Sequence, residues 1–401
     1  MDPRDIIRLS MKSLSERKIR AILTIIGVAI GPMALLMIGS IVTGYGDFIV
    51  SSIMGLGQNL IVVTPEAGGE LTRDDVQFLK RLPGVVDVSP FYTTQGEIII
   101  GGSRKTVYIY GVNPNFIVKA IGSLTIREGY APHETDHYKA LVGYSIVYGD
   151  HGERYYELND VLSLTVYLVG KSGKIEIKRL NIMIAGVLDK FGGALFLNPD
   201  LGIFVSIDTL ERSIGVRAWS GILVLVESPD LVSPTEREIR NLYGNRASVI
   251  SFLAIANTVS NVVAAVDFVV FAATTSSFAV AIAGVAASMI TSVMERTREI
   301  GVMKAIGFRD RHVLLLILAE GLLISFIGYI AGSLFGFFGA RLLSNTAWLR
   351  IGFVEIKAEP KFTFDLVGRS IVMTVLVGIL GAIFPAYRAM KIPPAVALKY
   401  E

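Results

Sequence analysis

"VMERTREIGVMKAIGFRDRHV", residues 293–313, sets a dense run of charges of both signs between two long apolar stretches. Charge at such a point has two uses. It solvates a loop joining two membrane helices, or it forms a surface on which another protein docks. The flanking sequence shows which frame the question belongs to.

The stretch before it, 268–294, carries no charge, and the stretch after it, 313–340, is broken only by Glu320. Residues 21–43 and 370–387 are also uncharged. A helix needs roughly 20 apolar residues to cross a bilayer, so four spans are expected. The first run is too long for the core of a cleavable signal peptide. Arg4, Arg8, Lys12, Arg17, Lys18 and Arg20 precede the first span, while Arg296, Arg298, Lys304, Arg309 and Arg311 lie between the second and third. Arg388, Lys391 and Lys399 follow the fourth; the interior of the loop between spans three and four has Arg350, Lys357 and Lys361. The positive-inside rule then predicts cytoplasmic termini, a cytoplasmic 295–312 loop and an extracytoplasmic segment between spans one and two. The expected place is the cell membrane, crossed several times.

The composition agrees: 52% of the 401 residues are hydrophobic and 18% charged, with mean hydropathy +0.56, against about 45–50% and about 25% in soluble proteins. A net charge of +3 without a basic, aromatic-interleaved stripe gives no footing for nucleic acid. The absence of cysteine excludes disulfides, thiolate metal sites and a cysteine nucleophile.

Between the first two spans, residues 59–248 read as a large α+β domain. "NLIVVTP" is a strand, and "TRDDVQFLKRLPG" a short helix capped by Thr72 and closed near Gly84. "EIIIGGSRKTVYIYGV" is a hairpin turning at Gly101–Gly102. "SGILVLVES", "SPTEREIRNLYG" and "ASVI" repeat the strand–helix–strand order. The expected fold is therefore membrane α-helical, with four transmembrane helices. To these it adds an extracytoplasmic α+β domain with a split β-α-β core and an inserted strand-rich subdomain. The expected segments are an interfacial or merely overhanging 1–20, a first span 21–43, a stalk 44–58, the domain 59–248 and a second stalk 249–267. A second span 268–294, the inner loop 295–312, a third span 313–340, an outer loop 341–369, a fourth span 370–387 and a tail 388–401 complete the chain. In the first of these segments Asp2 is a candidate cap before Pro3, and Ile7, Met11 and Leu14 share one helical face. No proline occurs from Val249 to Met294, so one helix of about 65 Å is possible, twice the thickness of the hydrocarbon core.

Gly328, Gly332, Gly336 and Ala340 place a small residue at every fourth position of the third span. Ala279, Ala283 and Ala287 do so in the second, and Gly27 and Gly31 occur in the first. Such stripes serve packing within the chain or a dimer seam. Glu320 is costly in a span and calls for a partner, Arg296 or Arg298 being the nearest in sequence terms, or a neutral hydrogen-bonded form.

"HETDH", His133–His137, matches the zinc-protease pattern, which needs both histidines on one helix face beside Glu134. It lies between strands and has only His151 near it, so a polar loop is the plainer reading. "GKSG" at 170–173 lacks the first glycine of a phosphate loop and reads as a hairpin turn. The tyrosines between Tyr130 and Tyr156 form either a binding surface or ordinary half-buried strand positions.

"ERTREIGVMKAIG" on the inner side of the second of four spans, with a large domain after the first, resembles the permease signature of the MacB/FtsX-like ABC transporters. "VLSLTVYLVGKSGKIEIKRLNIMIAGVLDKFG", "LGIFVSIDTLERSIG" and the closing "FPAYRAMKIPPAVALKYE" are similar to its other segments, so the likeness covers nearly the whole chain. Val396 departs from a glutamate frequent in the family. The size of the external domain fits the MacB and lipoprotein-release branch, without a fused ATPase domain. The resemblance implies a permease that is not itself an enzyme. Two copies of a cytoplasmic ATP-binding subunit would bind ATP and Mg, a second copy of this chain would form a homodimer, and an unidentified extracytoplasmic substrate or protein would be the target. No cofactor is expected in this chain. The resemblance also implies that the inner loop is a coupling helix docking on the ATPase. Ile300, Met303 and Ile306 would be its apolar knobs, and Glu295, Arg296, Arg298, Glu299 and Lys304 its charged rim. Gly301 would allow close approach and Gly307 would end the helix. The opening question is thus answered in favour of docking. Motion carried along the long second helix would drive export by mechanotransmission. The rivals are an ATP-driven regulator of an external enzyme, a zinc protease using His133, Glu134 and His137, and a passive receptor.

Overall fold

The computed structural model describes residues 3–66, 69–149, 152–169, 175–192, 197–216, 218–346, 349–351, 354–356 and 359–397. Asp2, the 170–173 turn, His151, Lys357 and Lys399 lie outside the described residues, as do the side chains of Pro3, Arg4, Ile7, Arg350 and Val396. In chain order the elements are α1 (Pro3–Glu16), α2 (Lys18–Gly55), β1 (Leu60–Pro65), α3 (Arg73–Leu79), β2 (Val85–Ile100), β3 (Ser103–Gly111), α4 (Pro114–Ala120), β4 (Ile126–Gly129) and β5 (Lys139–Val142). There follow α5 (Tyr144–Val147), β6 (Val161–Val169), β7 (Ile175–Leu188), β8 (Gly202–Val205), α6 (Ile207–Ile214), β9 (Gly221–Val226), α7 (Pro229–Tyr243) and β10 (Ala247–Ser251). The last are α8 (Phe252–Glu295), α9 (Thr297–Ala305), α10 (Asp310–Thr346), β11 (Leu349–Ile351), β12 (Val354–Ile356), α11 (Phe364–Met390) and α12 (Pro394–Ala397). They divide into a helical unit (Met1–Asp47, Asn261–Leu349 and Ile356–Glu401) and a sheet unit (Phe48–Ser260 and Arg350–Glu355).

In the sheet unit β9 lies between β1 and β2 and is antiparallel to both, and β1 lies between β9 and β10 and is antiparallel to both. Each strand–helix–strand segment thus holds a strand of the other between its own two strands. The alternation of side chains divides this sheet into two faces. Ile61, Val63, Val224 and Val226 pack under α3 and α7 with Leu79, Val232 and Ile239. Leu60, Leu223 and Leu225 face Phe116, Phe204 and Phe252 on the other side. Asp75 ties the two covering helices: it accepts from Thr72 N at 2.7 Å and from the Tyr243 hydroxyl at 2.9 Å. Burial raises the Asp75 pKa, but these hydrogen bonds and Arg246 together hold it below the ordinary carboxylate value. Burial likewise pushes the Tyr243 phenol up.

The inserted strands close on themselves. β2 pairs with β3, β3 with β8, β8 with β5, β5 with β7, β7 with β6, and β6 returns to β2. The inside is filled by branched side chains such as Ile98, Val107, Leu164, Ile182 and Val205, as expected when a small barrel excludes water. The β2–β3 turn is Gly101–Gly102, with φ of 57° and 79°, the left-handed pair that a tight two-residue hairpin needs. The predicted short helix is shorter than "TRDDVQFLKRLPG": α3 stops at Leu79.

The long helices α2 and α8 each begin or end in the sheet unit. α8 is one helix of 44 residues, about 66 Å at 1.5 Å per residue. Its start is fixed by side-chain chemistry. Ser251 Oγ accepts from Ala254 N at 3.0 Å, as an N-cap does, and donates to Glu236 at 2.6 Å. Arg240 holds Glu236 at 2.6 Å and the Val249 carbonyl at 2.9 Å. Ser251→Ala is expected to lower sheet-unit stability by about 1–2 kcal/mol through the lost cap, measured as a denaturant midpoint shift. No shift would mean that α8 is rooted by packing alone.

In the helical unit, α2, α8, α10 and α11 are long and apolar enough to cross a membrane. Their shared core includes Val28, Phe278, Val285, Ile317, Ile324 and Val377. Large apolar side chains also face outward, among them Leu23, Phe268, Phe335 and Phe338, which suits lipid rather than water. α1 packs on α10 through small polar groups. Ser10 and Ser13 are buried and Leu14 partly so, whereas Met11 is 60% exposed.

Candidate functional site

The 293–313 stretch folds as the end of α8, the nine-residue α9 and the start of α10. Arg296, at φ −108° and ψ 16°, breaks the helix between α8 and α9. Gly307, at φ 107°, ends the turn after α9; its N–H meets Lys304 O at 3.1 Å and the Phe308 N–H meets Met303 O at 3.1 Å.

The side chains of this helix sort differently from the sequence reading. Ile300 is 4% exposed and Met303 packs in the same core, so these two are not outward knobs. Their burial follows from period: the apolar face of so short a helix is needed to seal the bundle against water. Gly301 is buried with them. Three of the supposed rim charges are also engaged by partners within the chain. Glu295 is ion-paired with Arg17 and accepts from Arg20 Nη2 at 2.8 Å and Nη1 at 2.9 Å. Arg296 turns inward to Ser13 and to Glu320, 3.7 Å from its carboxylate, while its Nε donates to Glu299 at 2.9 Å. Lys304 donates to the Met390 and Ile392 carbonyls at 2.8 and 2.9 Å and pairs with Asp310 at 2.8 Å.

What faces outward is Arg298, Glu299, Val302, Ala305, Ile306 and Gly307. Ile306 is 76% exposed and Val302 40%. Two apolar side chains four residues apart, beside Arg298 and Glu299, make a small amphipathic platform. Val302 was not singled out by sequence, because its face depends on which way α9 is rolled. Ser13, Arg17 and Arg20 were also missed as partners of this region. Ser10, Ser13 and Arg17 recur at helical spacing, which was the available signal.

Glu320, 6% exposed, accepts from Ser13 at 2.8 Å. Its partner is Arg296; Arg298 points away. The stripe Gly328, Gly332 and Gly336 packs on α2 of the same chain, against Val28, Ala29 and Met33. Ala340 is fully buried. Gly31 packs on Phe278. That stripe is therefore filled from within and is not a free dimer seam. Ala279, Ala283 and Ala287 are exposed. Beside them α2 and α8 leave an outward groove of about 430 Å³, lined by Gly27, Ile30, Val280 and Gly284 among others.

His133–His137 lie in turns rather than on a helix. His133 N donates to Asp136 at 3.1 Å, and His133 Nδ1 is 3.2 Å from Thr135 Oγ1. The helix that the zinc chemistry requires is not formed there, and among the described residues no three His, Asp or Glu converge as metal ligands.

Two family profiles match in tandem: "MacB-like periplasmic core domain" over residues 21–242 and "FtsX-like permease C-terminal" over residues 271–394. An uncharacterized ABC transporter permease of Methanocaldococcus jannaschii is 25% identical over 99% of this chain and 98% of its own. The macrolide export ATP-binding/permease protein MacB of Bdellovibrio bacteriovorus is 25% identical over 97% of this chain and 61% of its own length. Among solved structures, the periplasmic region of MacB from Actinobacillus actinomycetemcomitans covers 53% of this chain and 98% of its own, with 15% identity and a TM-score of 0.38.

Proposed function

We propose that this chain, which belongs to the MacB/FtsX-like ABC transporter permeases, is the membrane subunit that converts ATP hydrolysis on a cytoplasmic ATP-binding subunit into movement of its sheet unit. The observation that carries the reading is the outward platform of α9. Val302 and Ile306 are apolar side chains held in water on a charged, rigidly ended helix, and such exposure is characteristic of a docking surface. In this reading α9, both termini and α1 are cytoplasmic, and residues 59–248 are extracytoplasmic, following the distribution of arginine and lysine. ATP and Mg belong to the partner. Two ATP-binding subunits would drive two copies of this chain, meeting along the exposed Ala279, Ala283 and Ala287 face of α8 and the groove beside it. α8 would carry the movement outward as a strut, and substrate would be exported or extracted at the outer side.

The test is the double variant Val302→Asp with Ile306→Asp, isolated gently from its native membrane beside the wild type. Wild type brings an ATPase chain and ATP hydrolysis. The variant is expected to lose both by about tenfold or more, as loss of apolar hot-spot contacts does. Retention of the ATPase by the variant would place docking elsewhere; absence of an ATPase from the wild type would remove the proposal.

A further inference from the structure

We infer that Arg296 and Lys304 are positioning residues that clamp α9 to the bundle at its two ends, so that a push on α9 moves α1, α10 and α11 together and not α8 alone. The inference deepens the reading of α9 as the docking helix and rests on it.

At the first end, the Arg296 guanidinium bridges three helices. It reaches Ser13 of α1, Glu299 of its own helix and Glu320 of α10, and its side chain is only 18% exposed. Ser13 closes the triangle by donating to Glu320 at 2.8 Å, and Ser10 donates to the Leu316 carbonyl of α10 at 3.4 Å. α1 thus touches α10 through hydroxyl contacts, which are directional and do not slide as apolar contacts do. At the second end, the Lys304 ammonium has three donors and meets three acceptors: the Met390 and Ile392 carbonyls and Asp310. Those carbonyls lie at or just beyond the end of α11, where backbone oxygens lack intrahelical partners and the helix dipole is negative. A cation there is held by geometry and field together.

The connection of α9 to α8 is different in kind. It is a backbone break at Arg296, φ −108° and ψ 16°, spanned only by local contacts such as Thr297 Oγ1 donating to the Val293 and Met294 carbonyls at 3.1 and 2.8 Å. Buried charges are costly unless paired, and an apolar pair of similar volume would seal the same space as well. What the charged pair adds is a fixed register between elements. The clamp therefore makes α9 part of the α1–α10–α11 end of the bundle, with α8 joined to it across that break.

Hydrogen exchange on the full chain in detergent micelles tests this. Arg296→Gln is expected to speed exchange by about tenfold or more in α1 and the first turn of α9, leaving the end of α11 unchanged. Lys304→Met should do the reverse, loosening residues 304–308 and 389–392 and sparing α1. The conservative variants Arg296→Lys and Lys304→Arg should restore part of the protection, which separates loss of the clamp from misfolding. Arg296→Glu with Glu320→Arg should restore more than either single change. Equal loosening of α8 in both variants, or no loosening outside the mutated turn, would overturn the clamp. In the complex with its ATPase, the Gln and Met variants should keep the bound ATPase and its hydrolysis while nucleotide-dependent exchange changes in α10 and α11 vanish. Persistence of those changes would also overturn it. An ATPase missing from the wild type would sink the docking proposal instead, a result to which the exchange pattern of the isolated chain is blind.

Discussion

Gly332→Leu should leave almost no folded protein in the membrane. A Cβ at Gly332 would lie 2.4 Å from the carbonyl oxygen of Ala29, a backbone atom of α2 that has no rotamer with which to yield. Gly328 and Gly336 set the same close approach one turn to either side. A larger side chain must therefore part α2 from α10 along three turns, and the dispersion contacts that hold helices together in lipid fall off steeply with distance. The cost is expected at the upper end of overpacking, about 3 kcal/mol or more, read as a collapse of the monodisperse yield and of the melting temperature in detergent. Gly284→Leu is the contrast. Nothing lies within 4 Å of a Cβ there, so the monomer should fold as before, while a second copy seated in the α2–α8 groove should be lost. Equal damage from both substitutions would mean that small residues matter here through propensity and not through contact. An unchanged dimer with Gly284→Leu would move the seam elsewhere.

Ala264→Pro should uncouple the protein without unfolding either unit. Ala264 is exposed on α8, twelve residues after the helix starts at Phe252. Proline removes one hydrogen bond, clashes with the carbonyl of Ser260 one turn back and costs about 3 kcal/mol in a helix interior. It kinks the helix where the strut reading needs it straight. The ATPase should remain bound and hydrolyse ATP at close to the wild-type rate, because α9 and its clamp are untouched. Nucleotide-dependent changes in exchange within β1, β9 and β10 should disappear. If they persist, movement reaches the sheet unit by another route and α8 is only a tether. Ala264→Ser, which keeps the helix, should behave as wild type.

The four membrane-length helices were legible in the chain because the property that defines them is local. An uninterrupted run of apolar residues has one low-energy setting in lipid whatever its neighbours do. The turn at Gly101–Gly102 was legible for a similar reason, since two consecutive left-handed residues fit a tight hairpin. That α9 is a short helix followed from the resemblance to the permease family. Which way it is rolled did not. Ile300 and Met303 are spaced as well for docking as for sealing the core, and only the packing of α8, α10 and α11 turned them inward and left Val302 and Ile306 outside. The same holds for Ser10 and Ser13, which packing and not local polarity buries on α10, and for the choice between two small-residue stripes, one filled by α2 and the other left bare. The closed circuit of strands from β2 back through β6 depends on pairings far apart in the chain. Local sequence states single strands such as β1, β3 and β9. Which edges meet is decided by the closure of the whole, where every buried backbone group must find a partner.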